Sequence, residues 1–507
     1  MLKREQLPTE VVALQDLALS LDQRAEYLSH QVEMFKRRLY GPSSEERPEA
    51  AGQATLPFAD LPAAPVRAEA LSHAAVVPKG AEKPQGHGRR KLPAHLYRER
   101  FEYHPEEVQK PCPCCGSAWE RIGEEISEQV ELIPATILVL QHARIKYACP
   151  KCRGRIVIGK VPSKILDRGL AGPGLLADLI VKKLYYHLPL YRQEVLTEHL
   201  GWTLARSTQS QWLGACAERL EPLYLRAKGE VLNSHKIHTD DTPVRVLTPG
   251  AGKTREARFW VYVGDAAHPC TVFDYTPNRK REGPKSFLGD YEGVLQADAY
   301  GGYDGIYANG KVTEAGCWAH ARRKFDDAAL SAPEAAKEAL DLIGELYAIE
   351  KRARERGLTP EERRALREAH APPVLERLRA WLERQQAEAL PQSPLAKALN
   401  YTRAQWAALT RFLSDGTIEL DNNTAENALR PIAVGRKNWL FLGNDEGSRR
   451  AAILYSLIET CKRHGHDPWA YLKDVLVRIE TQPPESLRQL LPDQWKPGRV
   501  EPSAAGP

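Results

Sequence analysis

Apolar positions repeat every seven residues at the start of the chain. Val11, Ala18, Ala25, Val32 and Leu39 form one series, and Leu14, Leu21, Leu28 and Phe35 form a second, three residues later. This a/d pattern predicts a coiled-coil helix over 1–41, bounded by Pro8 and by Gly41-Pro42. Residues 42–99 are rich in Ala and Pro and read as a flexible basic linker ending in GHGRRKLPAHLYRER. Short alternating runs over 100–160 predict strands, and periodic apolar positions over 161–233 predict helices. Strand patterns return in KIHTD, RFWVYVGD, TVFDYT and GVLQAD, within a segment spanning 234–328. A charged, helical insertion follows over 329–412, then a second core segment at 413–446, a helical element at 447–493 and a loose tail at 494–507. Strands followed by helices predict an α/β fold, a mixed sheet with helices on its faces.

A chain of 507 residues exceeds what one hydrophobic core organises, so several domains are expected. The net charge of +5 is unevenly placed: residues 141–230 hold 15 Lys/Arg against 7 Asp/Glu, a stretch suited to a phosphate backbone. There is no apolar run of the ~20 residues a membrane helix needs. The opening MLKREQLPTE lacks the apolar core of a secretory signal, so a cytoplasmic protein is expected, with no membrane partner.

Five of the nine cysteines fall within 112–152. Cys112 and Cys115 form one C-x2-C pair and Cys149 and Cys152 another, with Cys114 surplus. Two such knuckles can close a tetrahedral four-thiolate site around one structural Zn2+, making 100–160 a zinc ribbon. The stretch LYRQEVLTEHLGWTLARSTQSQWLGACAERL predicts two helices around a turn. Gly201 would break the first, and Ser207 or Thr208 would cap the second. As a helix-turn-helix it would turn Arg206, Gln209 and Gln211 toward DNA, whereas as a plain αα-hairpin it would touch none.

Three carboxylates carry the candidate chemistry. Asp240 lies in KIHTDDTPVRVL, Asp298 in GVLQADAYGGYDGIY, and Glu426 in LDNNTAENALRPIAVGRKNWLF. Each also has a local reading, as a turn former or as the acid of a capping box with Asn423. Together, two aspartates ending strands and a glutamate opening a helix match the layout of a ribonuclease H-like catalytic core. Such an oxygen-only set suits two Mg2+ ions, which can clamp both attacking and leaving oxygens of a phosphodiester. Arg430 follows one turn after Glu426, and Arg436 and Lys437 come soon after, placed to hold a phosphate. Trp318, Trp439 and Phe441 read either as base-stacking or as core aromatics.

The same strings resemble the DDE transposases of the insertion-sequence-66 family. The resemblance runs through LYGPSSEE, the four cysteines, HLPLYRQE, the carboxylate strings, GCWAHARRKF, RPIAVGRKNWLF and CKRHGHDPWAYLKDVL. It implies a bacterial enzyme that binds terminal inverted repeats, hydrolyses DNA at the element's end and joins the freed 3′-hydroxyl to target DNA. It implies Asp240, Asp298 and Glu426 as the metal-binding triad, and Cys317 and His320 as a C-x2-H element that supports the core. It further implies a nucleoid-associated homo-oligomer, paired through the coiled coil, and points to helper proteins of the same element. Two departures stand out: Asp241 occupies a position where the family usually has Glu, and Tyr40 one where it usually has Phe. The alternatives are an inactive, element-derived DNA-binding protein and a ribonuclease H-like nuclease or resolvase that only hydrolyses.

Overall fold

The computed structural model describes residues 169–497 apart from Pro249 and Asn309, together with 137, 139, 141, 146–148, 156–158 and 165–166. The predicted coiled coil, the linker, and Cys112, Cys115, Cys149 and Cys152 lie outside the described residues. Strands β1 (Lys146–Ala148) and β2 (Ile156–Ile158) pair antiparallel, with Tyr147 opposite Val157. Cys149 and Cys152 fall in the sequence that joins them.

Three helices come next. Helix α1 (Pro173–Leu184) starts with proline in its first turn and buries Leu176, Ile180 and Leu184 on one face. Helix α2 (Leu190–His199) buries only Gln193 and ends where Gly201 adopts φ +81°, a left-handed conformation suited to glycine. Helix α3 (Arg206–Leu232) is capped by Ala205 without a side-chain hydrogen bond, so Ser207 and Thr208 lie inside the first turn rather than at the cap. Its buried Leu213, Leu220, Leu223 and Val231 join the same apolar core as α1 and the sheet.

The sheet contains β3 (Lys236–Leu247), β4 (Thr254–Val263), β5 (Thr271–Thr276), β6 (Gly293–Gln296) and β7 (Val312–Ala315). Its spatial order is β5-β4-β3-β6-β7. The first three strands form an antiparallel meander, and β6 and β7 then run parallel to β3. The parallel pairs require crossovers, supplied by α4 (Glu282–Leu288) and α5 (Asp304–Tyr307). Phe259 to Val263 of β4 are all buried, as expected for a central strand covered on both faces.

After β7 come α6 (Trp318–Ala328), α7 (Pro333–Glu355), α8 (Pro360–Glu388), α9 (Pro394–Ala404) and α10 (Trp406–Leu409). They enclose a second core of Trp318, Phe325, Ile343, Leu378, Trp381 and Leu399. Thr359 and Glu362 form a capping box that opens α8. Arg367 is fully buried, yet every donor group it carries is used. Its Nε and Nη2 donate to the Glu350 carboxylate at 2.7 and 2.9 Å, and its remaining hydrogens go to the carbonyls of Phe412, Asp415 and Ile418. That one side chain ties α7 and α8 to the segment leading into the next helix.

Helix α11 (Asn423–Trp439) is followed by α12 (Asp445–Arg463) and α13 (Pro468–Arg478). Helix α12 covers the outer edge of the sheet. Ser456 and Thr460, four residues apart, accept hydrogen bonds from the backbone N–H groups of Phe273 and Thr271, and the Thr460 hydroxyl donates to the Thr271 carbonyl. Unpaired groups of β5 are thereby satisfied. The described chain runs to Pro497, and Trp495 is buried against Tyr471 and His466, so the packed structure extends past 494. No helix among the described residues is long and apolar enough to cross a membrane.

Candidate active site

The central pair of parallel strands sets the site. His238 of β3 faces Gln296 of β6 in register, and two residues further along each chain come Asp240 and Asp298. Asp298 lies just past the end of β6, as expected. Asp240 differs from expectation: it sits inside β3, opposite Val261, because that strand runs seven residues beyond it. Extension on that side comes from the long antiparallel pairing with β4, which holds Asp240 more firmly than a strand terminus would.

Glu426 arrives from α11, in its first turn, where the helix dipole favours negative charge. The residue that fixes this helix to the sheet is Asn422, its fully buried N-cap position. The Asn422 side chain makes no cap. Its Nδ2 donates to the Thr239 carbonyl at 2.8 Å, and its Oδ1 meets His238 Nδ1 at 2.9 Å. Burial, followed by the nearby Lys236 ammonium, pushes His238 down to about 3. The ring is therefore neutral, and its Nδ1–H donates to Asn422. The Asn422 backbone N–H in turn donates to Cys317 Sγ at 3.2 Å. One asparagine thus joins α11, β3 and the start of α6. The local strings did not single it out, although it is part of the DNN run before Glu426.

Burial raises Asp240 first, and the facing charges of Asp298, Asp241 and Glu426 add to it. The Asp241 backbone N–H pulls the other way, and the result lies at about 7. Asp298 and Glu426 therefore lie within electrostatic reach of Asp240, while among the described residues the three do not bring one oxygen each within 4.8 Å of one another. Their oxygen-only donors fit a hard divalent cation.

Asp241 belongs to a separate arrangement. Its buried carboxylate accepts from Arg258 Nη1 at 3.1 Å and from Arg279 Nε at 2.9 Å. Arg279 also reaches within 3.7 Å of Asp298 Oδ2 and lies over the Tyr300 ring, 4.1 Å from its centre. The Tyr300 ring leaves no room for a side chain at Gly302, where a Cβ would meet it at 2.1 Å. Arg279 is the site residue that motif reading missed, since nothing in TPNRKREG marks one arginine over its neighbours. On the opposite side, His320 Nδ1 lies 3.7 Å from Glu426 Oε1, and Arg323 lies 3.8 Å from Glu426 Oε2.

The DNA-facing candidates separate into two sets. Arg206 and Gln211 are exposed at the start of α3, with Arg206 paired to Glu194 at 3.0 Å. Gln209 is fully buried, and its amide donates inward to the Leu204 carbonyl, so it does not face a groove. Arg430 and Lys437 are exposed on α11. Arg436 is partly buried and donates to the Thr242 hydroxyl and the Pro243 carbonyl, a strut between α11 and β3. Among the aromatics, Trp318 is wholly buried and donates to the Leu409 carbonyl, whereas Phe441 is exposed.

Residues 168–450 match the family described as "Transposase IS66 family", and residues 456–492 match the "IS66 C-terminal element". Residues 109–153, which contain all four paired cysteines, match the "zinc-finger binding domain of transposase IS66". Residues 27–100 match the "Transposase C of IS166 homeodomain". Together the fold and these matches define a DNA-binding transposase, an enzyme whose domains call for a divalent metal and for zinc. The chain belongs to the IS66 transposase family. It is similar to three proteins of Sinorhizobium fredii (strain NBRC 101917 / NGR234). The uncharacterized protein y4jD is 34% identical over 98% of this chain and 99% of its own length. The uncharacterized protein y4hP is 32% identical over 92% of this chain and 88% of its own. The uncharacterized protein y4qI is 31% identical over 97% of this chain and 93% of its own.

Proposed function

We propose that Asp240, Asp298 and Glu426 form the catalytic triad of a ribonuclease H-like core that cuts the ends of an insertion sequence and joins them to target DNA. The observation that carries this reading is the placement of Asp240 and Asp298 two residues beyond the paired His238 and Gln296 on adjacent parallel strands, with Glu426 presented from the first turn of α11. The strand order β5-β4-β3-β6-β7, with three antiparallel strands and two parallel ones, supports it.

Bound by the triad, two Mg2+ ions would supply activation of the attacking oxygen and neutralisation of the leaving one. The chain's own contribution is alignment. Pairing of β3 with β4 fixes Asp240, and Asn422 fixes the helix that presents Glu426. Arg258 and Arg279 hold Asp241 away from competing as a ligand. Exposed Arg430 and Lys437 are placed to contact phosphate, as are Arg206 and Gln211 at the helical hairpin. In the first reaction a water oxygen bonds to phosphorus as the element's 3′ oxygen leaves, taking a proton. In the second, that 3′-hydroxyl attacks a target phosphorus and displaces a target 3′ oxygen. Cys112, Cys115, Cys149 and Cys152 would hold one structural Zn2+, and the antiparallel β1–β2 pair flanking the second knuckle supports a ribbon there. The N-terminal heptads would pair two protomers, one for each element end, with helper proteins of the same element completing the assembly.

The test is incubation of the purified protein with a labelled element end, target DNA and Mg2+. The reading expects nicks at the terminal repeat and a joined product. Nicks without joining would assign a hydrolytic nuclease instead.

A further inference from the structure

Cys317, His320 and Glu426 bring three chemically different donor atoms to one place. Cys317 caps α6, His320 follows within its first turn, and Glu426 comes from the first turn of α11. One ligand atom of each lies within 4.8 Å of the others. Cys317 is completely buried, and its sulfur accepts the Asn422 backbone N–H at 3.2 Å.

The second observation is independent of that clustering. His320 Nδ1 and Glu426 Oε1 face each other across 3.7 Å, too far for a hydrogen bond. Both atoms are shut off from solvent, and neither has a hydrogen-bond partner. Native proteins rarely leave one buried polar atom unsatisfied, and a single ion between the two facing atoms would satisfy both. Sulfur, imidazole nitrogen and carboxylate oxygen together form a donor set for borderline ions such as zinc or cobalt. Hard magnesium takes oxygen ligands instead.

We propose that Cys317, His320 and Glu426 form a second metal site that takes a zinc-class ion and is separate from the oxygen-only pair Asp240 and Asp298. Three protein ligands leave a fourth position open to water. Glu426 faces both sites, so a zinc-class ion anchored at Cys317 and His320 restrains the same carboxylate that the catalytic reading uses. Micromolar Zn2+ would therefore inhibit a Mg2+-supported reaction. The donor set itself stands whether or not Asp240 and Asp298 do catalysis.

The experiment is a Co2+ titration of the full chain with its four-cysteine finger already loaded with zinc, which binds more tightly than cobalt and keeps its place. One further equivalent of Co2+ should bind and produce a thiolate-to-cobalt absorption band in the near ultraviolet. The band should vanish in Cys317→Ser, a near-isosteric change, and in His320→Gln, at a partly exposed position, with both variants still melting cooperatively. It should persist in Asp240→Asn, which removes a carboxylate of the other site. Absence of the band in the wild type, its survival in Cys317→Ser, or its loss in Asp240→Asn would each overturn the proposal.

Discussion

A buried aspartate raised to about 7 by burial and like charges destabilises the fold that contains it. Asp240→Asn should therefore stabilise the cation-free protein by about 1 kcal/mol, roughly 2–4 °C in melting temperature. It should also abolish any rise in melting temperature caused by Mg2+. Scanning calorimetry with and without Mg2+ measures both, and a lower melting point without cation would contradict the account. Asn422 makes the converse case. Asn422→Ala removes the contacts to Thr239 and His238, leaving both buried groups without that partner. The cost should be about 1–3 kcal/mol by urea titration, with a larger fall in DNA cleavage than stability alone explains. These residues differ in how clearly the strings announced them. Asp240, Asp298 and Glu426 stand in distinctive contexts, whereas Asn422 and Arg279 act through partners 183 and 38 positions away. Local spacing carries no trace of such contacts.

Elements are where tertiary packing overrides local pattern. A helix capped by Ser207 or Thr208 would turn Gln209 outward from the helical hairpin. The helix begins at Arg206 instead, and this places Gln209 on the buried face with Leu213 and Cys216. Helix α12 shows the opposite relation, since Ser456 and Thr460 are spaced one turn apart and sealing a strand edge explains both. The insertion was readable as charged and helical, but its anchor was not. A buried Arg367 in a string such as EERRALREAH looks like its exposed neighbours until Glu350 and three carbonyls surround it. Arg367→Ala strands the Glu350 carboxylate and should cost about 3–5 kcal/mol. Urea denaturation checks this, and a loss below about 1 kcal/mol would mean the ion pair is not what ties the insertion to the core.

Among the described residues of the molecule, two sets of carboxylates pull the pH dependence in opposite directions. Burial raises Asp240, Asp241, Asp274 and Asp421 in the folded protein. These four carboxylates therefore hold more protons in the native state than in the unfolded one between the ordinary value of 3.8 and the raised ones, a contribution that grows as pH falls from 7 and outweighs the opposing one of His238, which is neutral in the fold and takes a proton on unfolding below 6.5. Burial also pushes Asp265 and Asp415 up, but hydrogen bonds to them outweigh it. For Asp265 these come from the His235 and His268 backbone N–H groups, and for Asp415 from the Thr417 hydroxyl and His235. Their contribution is complete above 3.8 and is lost as pH falls through their depressed values. Without divalent cations, stability should therefore peak on the mildly acidic side, at about pH 5. With Mg2+ present the fall between pH 5 and 7 should flatten. Melting temperature against pH in both buffers would show this, and a cation-free maximum above pH 7 would contradict it. The alternation of strands and helices was visible along the chain. The strand order was not, because pairing β3 with β6 is a contact between segments separated by two other strands and a helix.

The central claim is that Asp240, Asp298 and Glu426 act together on a phosphodiester. The most direct measurement is single-turnover cleavage of a labelled inverted-repeat duplex in Mg2+ by the wild type and by Asp240→Asn, Asp298→Asn and Glu426→Gln. DNA binding and melting are followed in parallel. The account predicts that each variant binds the duplex and melts no lower than the wild type, yet cuts at least about a thousandfold more slowly. A variant that still cuts the element end near the wild-type rate would remove that residue from the site.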